Sequence, residues 1–165
     1  MEVSGPLHVR SIPGLVAGIL FCVLAGSLGS MVTVTGPESW YATLEKPFFT
    51  PPGWLFAPVW ITLFTLMGIA LFLVWDAGIR NRHVQIAVIV FAIQFALNIL
   101  WSFLFFGLQS PYLGLVDVVL LWFMIAATIA VFAKIRKMAA VLLLPYLVWV
   151  TLATALNYAI WVLNP

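Results

Sequence analysis

The chain has 165 residues, of which 65% are hydrophobic and only 7% are charged. Soluble domains are nearer half apolar and a quarter charged, and seven Lys and Arg with five Asp and Glu cannot cover such a domain in water. The composition excludes a soluble enzyme, a disordered chain and a nucleic-acid partner, which would need a basic patch. A single cysteine excludes a disulfide framework. Most of this chain is therefore expected to lie in lipid.

Five stretches of the sequence are long and apolar enough to cross a bilayer, whose hydrocarbon core takes about 20 helical residues. They cover about 13–35, 52–75, 84–106, 111–132 and 138–163. Backbone groups in lipid must be satisfied internally, so helices are the expected form. The sequence therefore predicts an all-α integral membrane protein, a single domain built as a bundle of five transmembrane helices. Pro58 and Pro145 lie inside spans and predict kinks.

The first span also has features of a cleaved signal peptide, since Arg10 precedes it and small residues occupy 25–27. Its apolar run continues to Val34, however, beyond the length of a normal signal core. A retained transmembrane helix is the favoured interpretation.

Basic residues are concentrated on one side of the predicted bundle. That side carries Arg10, Arg80, Arg82, Lys134, Arg136 and Lys137, whereas the other side carries only Lys46. The positive-inside rule then places the amino terminus and the second and fourth loops in the cytoplasm. The first loop and the carboxyl terminus are expected on the opposite side. The rule does not identify which membrane holds the protein.

The first loop, residues 36–51, is rich in aromatic side chains and proline. An aromatic belt at the membrane interface would account for many of the rings. It does not require the prolines, which stiffen the loop. We therefore expect the loop to fold over the helix ends as a lid, with Tyr41 facing the space below.

Polar and indole side chains from four spans reach a common level in the half of the bilayer nearest the first loop. At 1.5 Å per residue they lie about 7–20 Å below that face. They are Trp60, Asn98, Trp101, Asp117, Trp149 and Asn157, together with the small Ala153. Ala153 lies one turn from Trp149 and one turn from Asn157, so the three share a helical face. The convergence predicts a cavity with an open wall at Ala153.

Structural explanations remain open for several of these residues. Asn98 and Gln94, four residues apart, are also explained as amides that hydrogen-bond between helices. Asp117 is the most costly side chain in the bilayer and favours a functional role, yet no Lys or Arg inside a span pairs with it. Trp101 and Trp149 are equally compatible with simple packing.

The sequence lacks the motifs of most catalytic and metal sites. There is no glycine-rich phosphate loop, no histidine pair and no carboxylate cluster at ligand spacing. His8 and His83 belong to the side opposite the first loop. We therefore assign no catalytic or metal-binding residue and no required cofactor, and expect an aromatic cavity suited to a flat hydrophobic ligand.

Three ordered blocks of residues resemble the translocator protein family, also called tryptophan-rich sensory proteins or peripheral benzodiazepine receptors. The first block contains Trp40-Tyr41, Leu44, Lys46-Pro47, Pro51-Pro52, Pro58 and Trp60. The second contains Gln94, Asn98, Trp101 and Phe105-Phe106-Gly107. The third contains Pro145-Tyr146-Leu147, Trp149, Ala153-Thr154 and Leu156-Asn157-Tyr158. Asp117 falls where the family carries an acidic residue.

The resemblance implies a five-helix bundle, usually a homodimer, with a cavity beneath the first loop. Its implied ligands are porphyrins such as protoporphyrin IX and haem, sterols such as cholesterol, and benzodiazepine-like drugs. The implied roles are stress sensing and tetrapyrrole transport or regulation, or alternatively enzymatic, light-dependent porphyrin degradation. Implied ligand contacts are Tyr41, Trp60, Asn98, Trp101, Trp149, Ala153, Leu113, Val116 and Leu120. Asp117 and Asn157 join the expected site because of their depth.

Two departures from the family pattern bear on sterol binding and on dimerisation. No Lys or Arg follows Tyr158, whereas the animal cholesterol motif has one there. The third span offers Ala92 and Ala96 in place of a glycine dimer stripe. The first span has small residues every fourth position, from Gly14 to Gly26, which suit either a helix–helix contact between chains or packing within one chain.

Overall fold

The structure is a computed structural model that describes residues 11–165, and within this range every regular element is helical. His8 and Arg10, on which parts of the sequence argument rest, lie outside the described residues. The helices are α1 (Ile12–Gly26), α2 (Trp40–Thr43), α3 (Gly53–Trp75), α4 (Arg82–Ser102), α5 (Pro111–Ala133), α6 (Lys137–Leu142) and α7 (Leu144–Leu163). A 3₁₀ turn, Ser27–Met31, follows α1, and a π-helical turn, Phe103–Gly107, follows α4.

Within residues 11–165, five segments are long and apolar enough to cross a membrane, which confirms the predicted all-α, multi-pass membrane architecture. They are Ile12–Met31, Gly53–Trp75, Arg82–Gly107, Pro111–Ala133 and Lys137–Leu163. The first ends about one turn earlier than the sequence indicates, because the chain leaves the helix through the 3₁₀ turn.

The two internal prolines have different outcomes. The fifth span is divided at Leu143 into α6 and α7, and Pro145 lies in the first turn of α7. Proline has no N–H to donate to the preceding turn of a helix. In the first turn the N–H groups have no partner within the helix, so the missing N–H costs least there. By contrast α3 continues through Pro58 as one helix, where the Thr62 hydroxyl donates to the Pro58 carbonyl at 2.8 Å.

The helices form a closed ring around the core. Helix α1 packs on α3, and α3 packs on α6, which continues into α7. Helix α7 packs on α5, and α5 packs on α4. The ring closes where α4 contacts the turn after α1. The backbones of α3 and α7 are not in close contact. The space between these two helices is bridged by side chains and defines the candidate site.

The glycines of α1 are used for packing within the chain. A Cβ on Gly68 of α3 would lie 2.5 Å from Ile19 Cα, and a Cβ on Gly18 would lie 3.0 Å from the Gly68 carbonyl oxygen. Gly14 and Gly26 face the rings of Phe72 and Phe64. The small-residue stripe of the first span therefore fits α1 against α3, which answers the question that the sequence left open.

Candidate ligand site

The first loop contains the short helix α2, which is held in place by a local cap. Ser39 is buried, and its hydroxyl donates to the Gly36 carbonyl at 2.6 Å while accepting from the Ala42 amide at 3.2 Å. Serine is favoured at this position because its side chain satisfies an amide that the helix leaves free. The cap fixes the start of α2 and therefore the direction of the Trp40 and Tyr41 side chains.

The part of the loop that follows α2 is hydrogen-bonded to Asn164, at the carboxyl end of α7. The Glu45 amide donates to Asn164 Oδ1 at 2.9 Å, and Asn164 Nδ2 donates back to the Glu45 carbonyl at 3.0 Å. Asn164 also donates to the Ile160 carbonyl at 2.8 Å, which orients its carboxamide. The loop is thus tied to the end of the bundle by the Asn164 side chain.

Trp40 and Tyr41 cover a second, smaller core around Phe105. Their ring centroids lie 5.6 Å and 6.3 Å from that of Phe105, both in edge-to-face geometry. The Lys46 ammonium lies 4.6 Å from the centroid of the Tyr41 ring, a cation–π contact. Burial raises the pKa of the Tyr41 phenol above its ordinary value. Burial at this position therefore favours the neutral phenol.

Directly below the lid, one carboxamide connects three helices. Trp101 Nε1 donates to Asn157 Oδ1 at 3.0 Å, and Asn157 Nδ2 donates to the Pro111 carbonyl at 2.7 Å. Gly114 permits this approach, because a Cβ there would lie 3.0 Å from Asn157 Oδ1 and 2.9 Å from a ring carbon of Phe105. Two residues that the sequence predicted by depth alone are therefore in direct contact.

A second polar contact links α4 to α7 deeper in the bundle. Asn98 Nδ2 donates to the Tyr146 hydroxyl at 3.0 Å, and both side chains are buried. The indole of Trp60 meets the Tyr146 ring edge-to-face at 6.3 Å and stacks on Phe64 at 5.3 Å. Asn98 thus hydrogen-bonds between helices, the structural alternative that the sequence left open. Gln94 reaches only the Met67 sulfur, at 4.0 Å from its Nε2.

Between α3 and α7 the site is closed by one aromatic pair and opens sideways into a groove. Phe56 meets Trp149 edge-to-face at 5.7 Å. The adjoining groove has a volume of about 780 Å³, and Trp149 forms part of its wall. Its other lining residues are almost all apolar: Pro58, Val59, Thr62, Leu63, Leu66, Val141, Leu144, Pro145, Val148 and Leu152. Trp149 therefore belongs both to the groove and to the aromatic interior.

Two buried acceptors have no hydrogen-bond partner within residues 11–165, namely Asp117 Oδ2 and Gln94 Oε1. Asp117 is 3% exposed and lies one helical turn below Gly114. A buried acceptor without a partner is costly, and an intramembrane carboxyl especially so. Both atoms can receive a donor from a ligand or from water.

The remaining predicted residues divide into two groups. Ala153 is half-buried on the face of α7 that also carries Trp149 and Asn157. Leu113, Val116 and Leu120 lie instead on the outer face of α5, where they are 39%, 44% and 53% exposed. Asp117 and Leu121 take the inward positions of that helix. The structure therefore does not bring those three residues together with the interior cluster.

Sequence reasoning missed three aromatic residues at the centre of the site: Phe56, Phe105 and Tyr146. Phe105 and Tyr146 stood in the blocks that resemble the family, but no role in the site was assigned to them. The available signal was helical spacing, since Tyr146 lies one turn before Trp149 and two turns before Ala153.

Comparison with known proteins identifies the family. The model of the TspO/MBR family matches residues 18–162. The chain is 50% identical to the tryptophan-rich protein TspO of Chlorobaculum tepidum over 87% of its length and 91% of the relative. It is 48% identical to the protein of the same name from Archaeoglobus fulgidus, over 91% and 96% of the two chains. It is 39% identical to the translocator protein of Bos taurus, over 84% and 82%. The chain therefore belongs to the TspO/MBR family of membrane proteins.

Proposed function

We propose that this protein is a membrane receptor or translocator that binds porphyrin-type tetrapyrroles, such as protoporphyrin IX or haem, beneath the first loop. Other flat hydrophobic molecules, including sterols and benzodiazepine-like drugs, are candidate ligands of the same site. The biological role that fits such binding is stress sensing or tetrapyrrole regulation. The observation that carries the proposal is the contact of Trp101 with Asn157 below the Tyr41 lid, beside the groove at Trp149.

The shape and chemistry of the region between α3 and α7 support a flat ligand. The two helices are joined by the Phe56–Trp149 and Trp60–Tyr146 ring contacts and not by close backbone packing. Ring pairs can separate and stack on an inserted planar molecule without breaking backbone hydrogen bonds. The adjoining groove, which shares only Trp149 with the proposed site residues, has a volume of about 780 Å³, and small-molecule sites typically span about 300–1,000 Å³.

The few polar groups nearby supply orientation. Asp117 Oδ2 and Gln94 Oε1 are buried acceptors without a partner, which a hydrogen-bond donor on the ligand can satisfy. Asn98, Trp101 and Asn157 already satisfy one another or their neighbours, so they shape the walls of the site. Leu113, Val116 and Leu120 face outward, and our proposal assigns them to lipid or to a partner subunit in a homodimer.

The experiment that tests the proposal is a titration of the purified protein with protoporphyrin IX, in darkness and under illumination, monitored by porphyrin absorption and tryptophan quenching. Saturable binding of one porphyrin per chain, without loss of the pigment, supports a receptor. Loss of porphyrin absorption over many turnovers in light would favour the enzymatic alternative. Absence of saturable binding would contradict both.

We further propose that the loops after α3 and α5 face the cytoplasm and the first loop faces the opposite side. The supporting observation is the distribution of basic residues, with Arg80 on one side of the bundle and Lys46 on the other. Cys22 is fully buried, so an introduced cysteine can be labelled selectively. In sealed cells, an impermeant thiol probe should label Glu45→Cys directly and Arg80→Cys only after permeabilisation. The reverse pattern would overturn this orientation.

A further inference from the structure

A second pocket lies at the end of the bundle farthest from the first loop, where α4 begins and α5 ends. Its volume is about 510 Å³. Its lining residues are Ala77, Asn81, His83, Val84, Ile86, Val131, Lys134 and Ile135. The Asn81 side chain caps α4 by accepting from the His83 amide at 2.9 Å. That bond fixes the start of the helix, and with it the backbone position of His83 opposite the end of α5.

The rim of this pocket carries the positive charge of Lys134, and further positive charge lies beside Asn81 at Arg80 and Arg82, which do not line the pocket. Arg80, Arg82 and Lys134 have no ion pair among the residues that the structure describes. The one acidic residue in the described loops on this side is Asp76, which caps the end of α3 and does not line the pocket. The rim is therefore complementary to an anion.

Below the rim the pocket wall is hydrocarbon. Ile86 is 44% exposed, and Val131 and Ile135 are half-buried at the edge of the main core. All three lie within or next to membrane-spanning segments. A free phosphate or nucleotide would leave these apolar side chains unused, whereas a phospholipid presents an anionic head above an acyl chain. Basic pockets between transmembrane helices suit such head groups.

We propose that this pocket binds one anionic glycerophospholipid, with its phosphate at His83 and Lys134 and an acyl chain along Ile86 and Val131. The site is separate from the porphyrin site and does not depend on it. Lys134 supplies the charge, the imidazole of His83 supplies a donor, and the apolar wall selects a lipid over a soluble anion.

The test is native mass spectrometry of the purified full chain in detergent supplied with equal phosphatidylglycerol and phosphatidylcholine. We expect one tightly retained phosphatidylglycerol per chain. Lys134→Gln should lower that retention about fivefold, which is the effect on affinity expected of one basic residue near an anionic membrane surface. His83→Gln should lower the retention as well. Arg80→Gln is the matched control, because it removes one charge on the same side without touching the pocket lining.

Both His83 and Lys134 are exposed, so their variants are expected to fold, which thermal unfolding checks. Equal retention of the two lipids would overturn the proposal, as would equal losses in Lys134→Gln and Arg80→Gln, which would indicate only a diffuse surface charge. Displacement of the lipid by millimolar inorganic phosphate would also overturn it, since the head group alone would then suffice.

Discussion

Trp101 and Asn157 form a 3.0 Å hydrogen bond that joins α4 to α7 immediately beneath the first loop. Asn157 is 1% exposed and also bonds to the Pro111 carbonyl at the start of α5. One carboxamide therefore sets the spacing of three helices at the level where a ligand is proposed to bind.

Replacing Trp101 by Phe should destabilise the protein and weaken porphyrin binding together. The change leaves Asn157 Oδ1 buried without its donor, which costs about 1–3 kcal/mol, and removes ring area from the site. The control is Thr151→Val, which breaks the bond from Trp122 Nε1 to Thr151 Oγ1, 2.8 Å long, on the outer face of the bundle. Thermal unfolding should respond to both variants, but porphyrin affinity only to Trp101→Phe. An equal loss of affinity in Thr151→Val would indicate a general effect of stability.

The two hydrogen bonds between the Asn164 side chain and the Glu45 backbone, called the clasp below, should control the opening of the lid. Asn164→Ala removes both bonds to the Glu45 backbone, so amide hydrogen exchange in residues 40–47 should accelerate and porphyrin should dissociate faster. Global thermal stability should change little, since the residue is at the end of α7. Glu45→Ala is the matched control because the clasp uses only its backbone. If the two variants behave alike, the clasp is not what holds the lid.

Lid closure should weaken at alkaline pH. The ordinary pKa of tyrosine is 10.0, and burial raises the pKa of Tyr41 above it. The stabilising contribution of the neutral phenol is therefore complete below pH 10 and is lost as the pH rises through the raised value. Hydrogen exchange of the loop measured across this range should show the transition.

Lys46 lies over the same ring, so the contribution of the Tyr41 phenol must be separated from that of the cation–π contact. Tyr41→Phe keeps the ring beneath Lys46 and removes the phenol. The alkaline opening should be smaller in this variant, and an unchanged transition would show that the Tyr41 phenol is not its cause.

The contact between α1 and α3 should tolerate no side chain at Gly68. Gly68→Ala would place a Cβ 2.5 Å from Ile19 Cα, a backbone atom that cannot rotate away. Overpacking of this kind costs about 1–3 kcal/mol, which unfolding in detergent measures. Gly53→Ala on the same helix meets nothing within 4 Å and should be nearly neutral. Similar stability of the two variants would show that α1 can move away from α3 at no cost.

The spans and the depth of Trp101 and Asn157 could be predicted because hydropathy and a rise of 1.5 Å per residue hold in any membrane helix. The division of the fifth span at Leu143 could not be placed, since a proline marks a break only approximately. Tyr146 was not predicted as the partner of Asn98 and Trp60, since hydropathy and depth do not determine which side chains of two spans meet.

The sequence also did not determine the rotation of α5 about its own axis, which decides which of its residues face the interior of the bundle. Its hydrophobic residues occur all round the helix, so periodicity does not distinguish an inward from an outward face. Leu113 and Val116 were assigned to the site by resemblance, but Gly114 and Asp117 take the inward positions. The close approach that only Gly114 allows is what sets this rotation.

The central claim is that the face of α7 carrying Trp149, Ala153 and Asn157 forms a wall of the ligand site. The most direct test is porphyrin affinity and thermal unfolding of Ala153→Leu, beside Ala130→Leu, whose position on α5 is exposed. The larger side chain at 153 should weaken protoporphyrin IX by about 1–3 kcal/mol through overpacking of the bound state, with a much smaller loss of stability, while Ala130→Leu changes neither. Unchanged affinity with a large loss of stability would show that Ala153 packs against a neighbouring helix, and would contradict the proposed site.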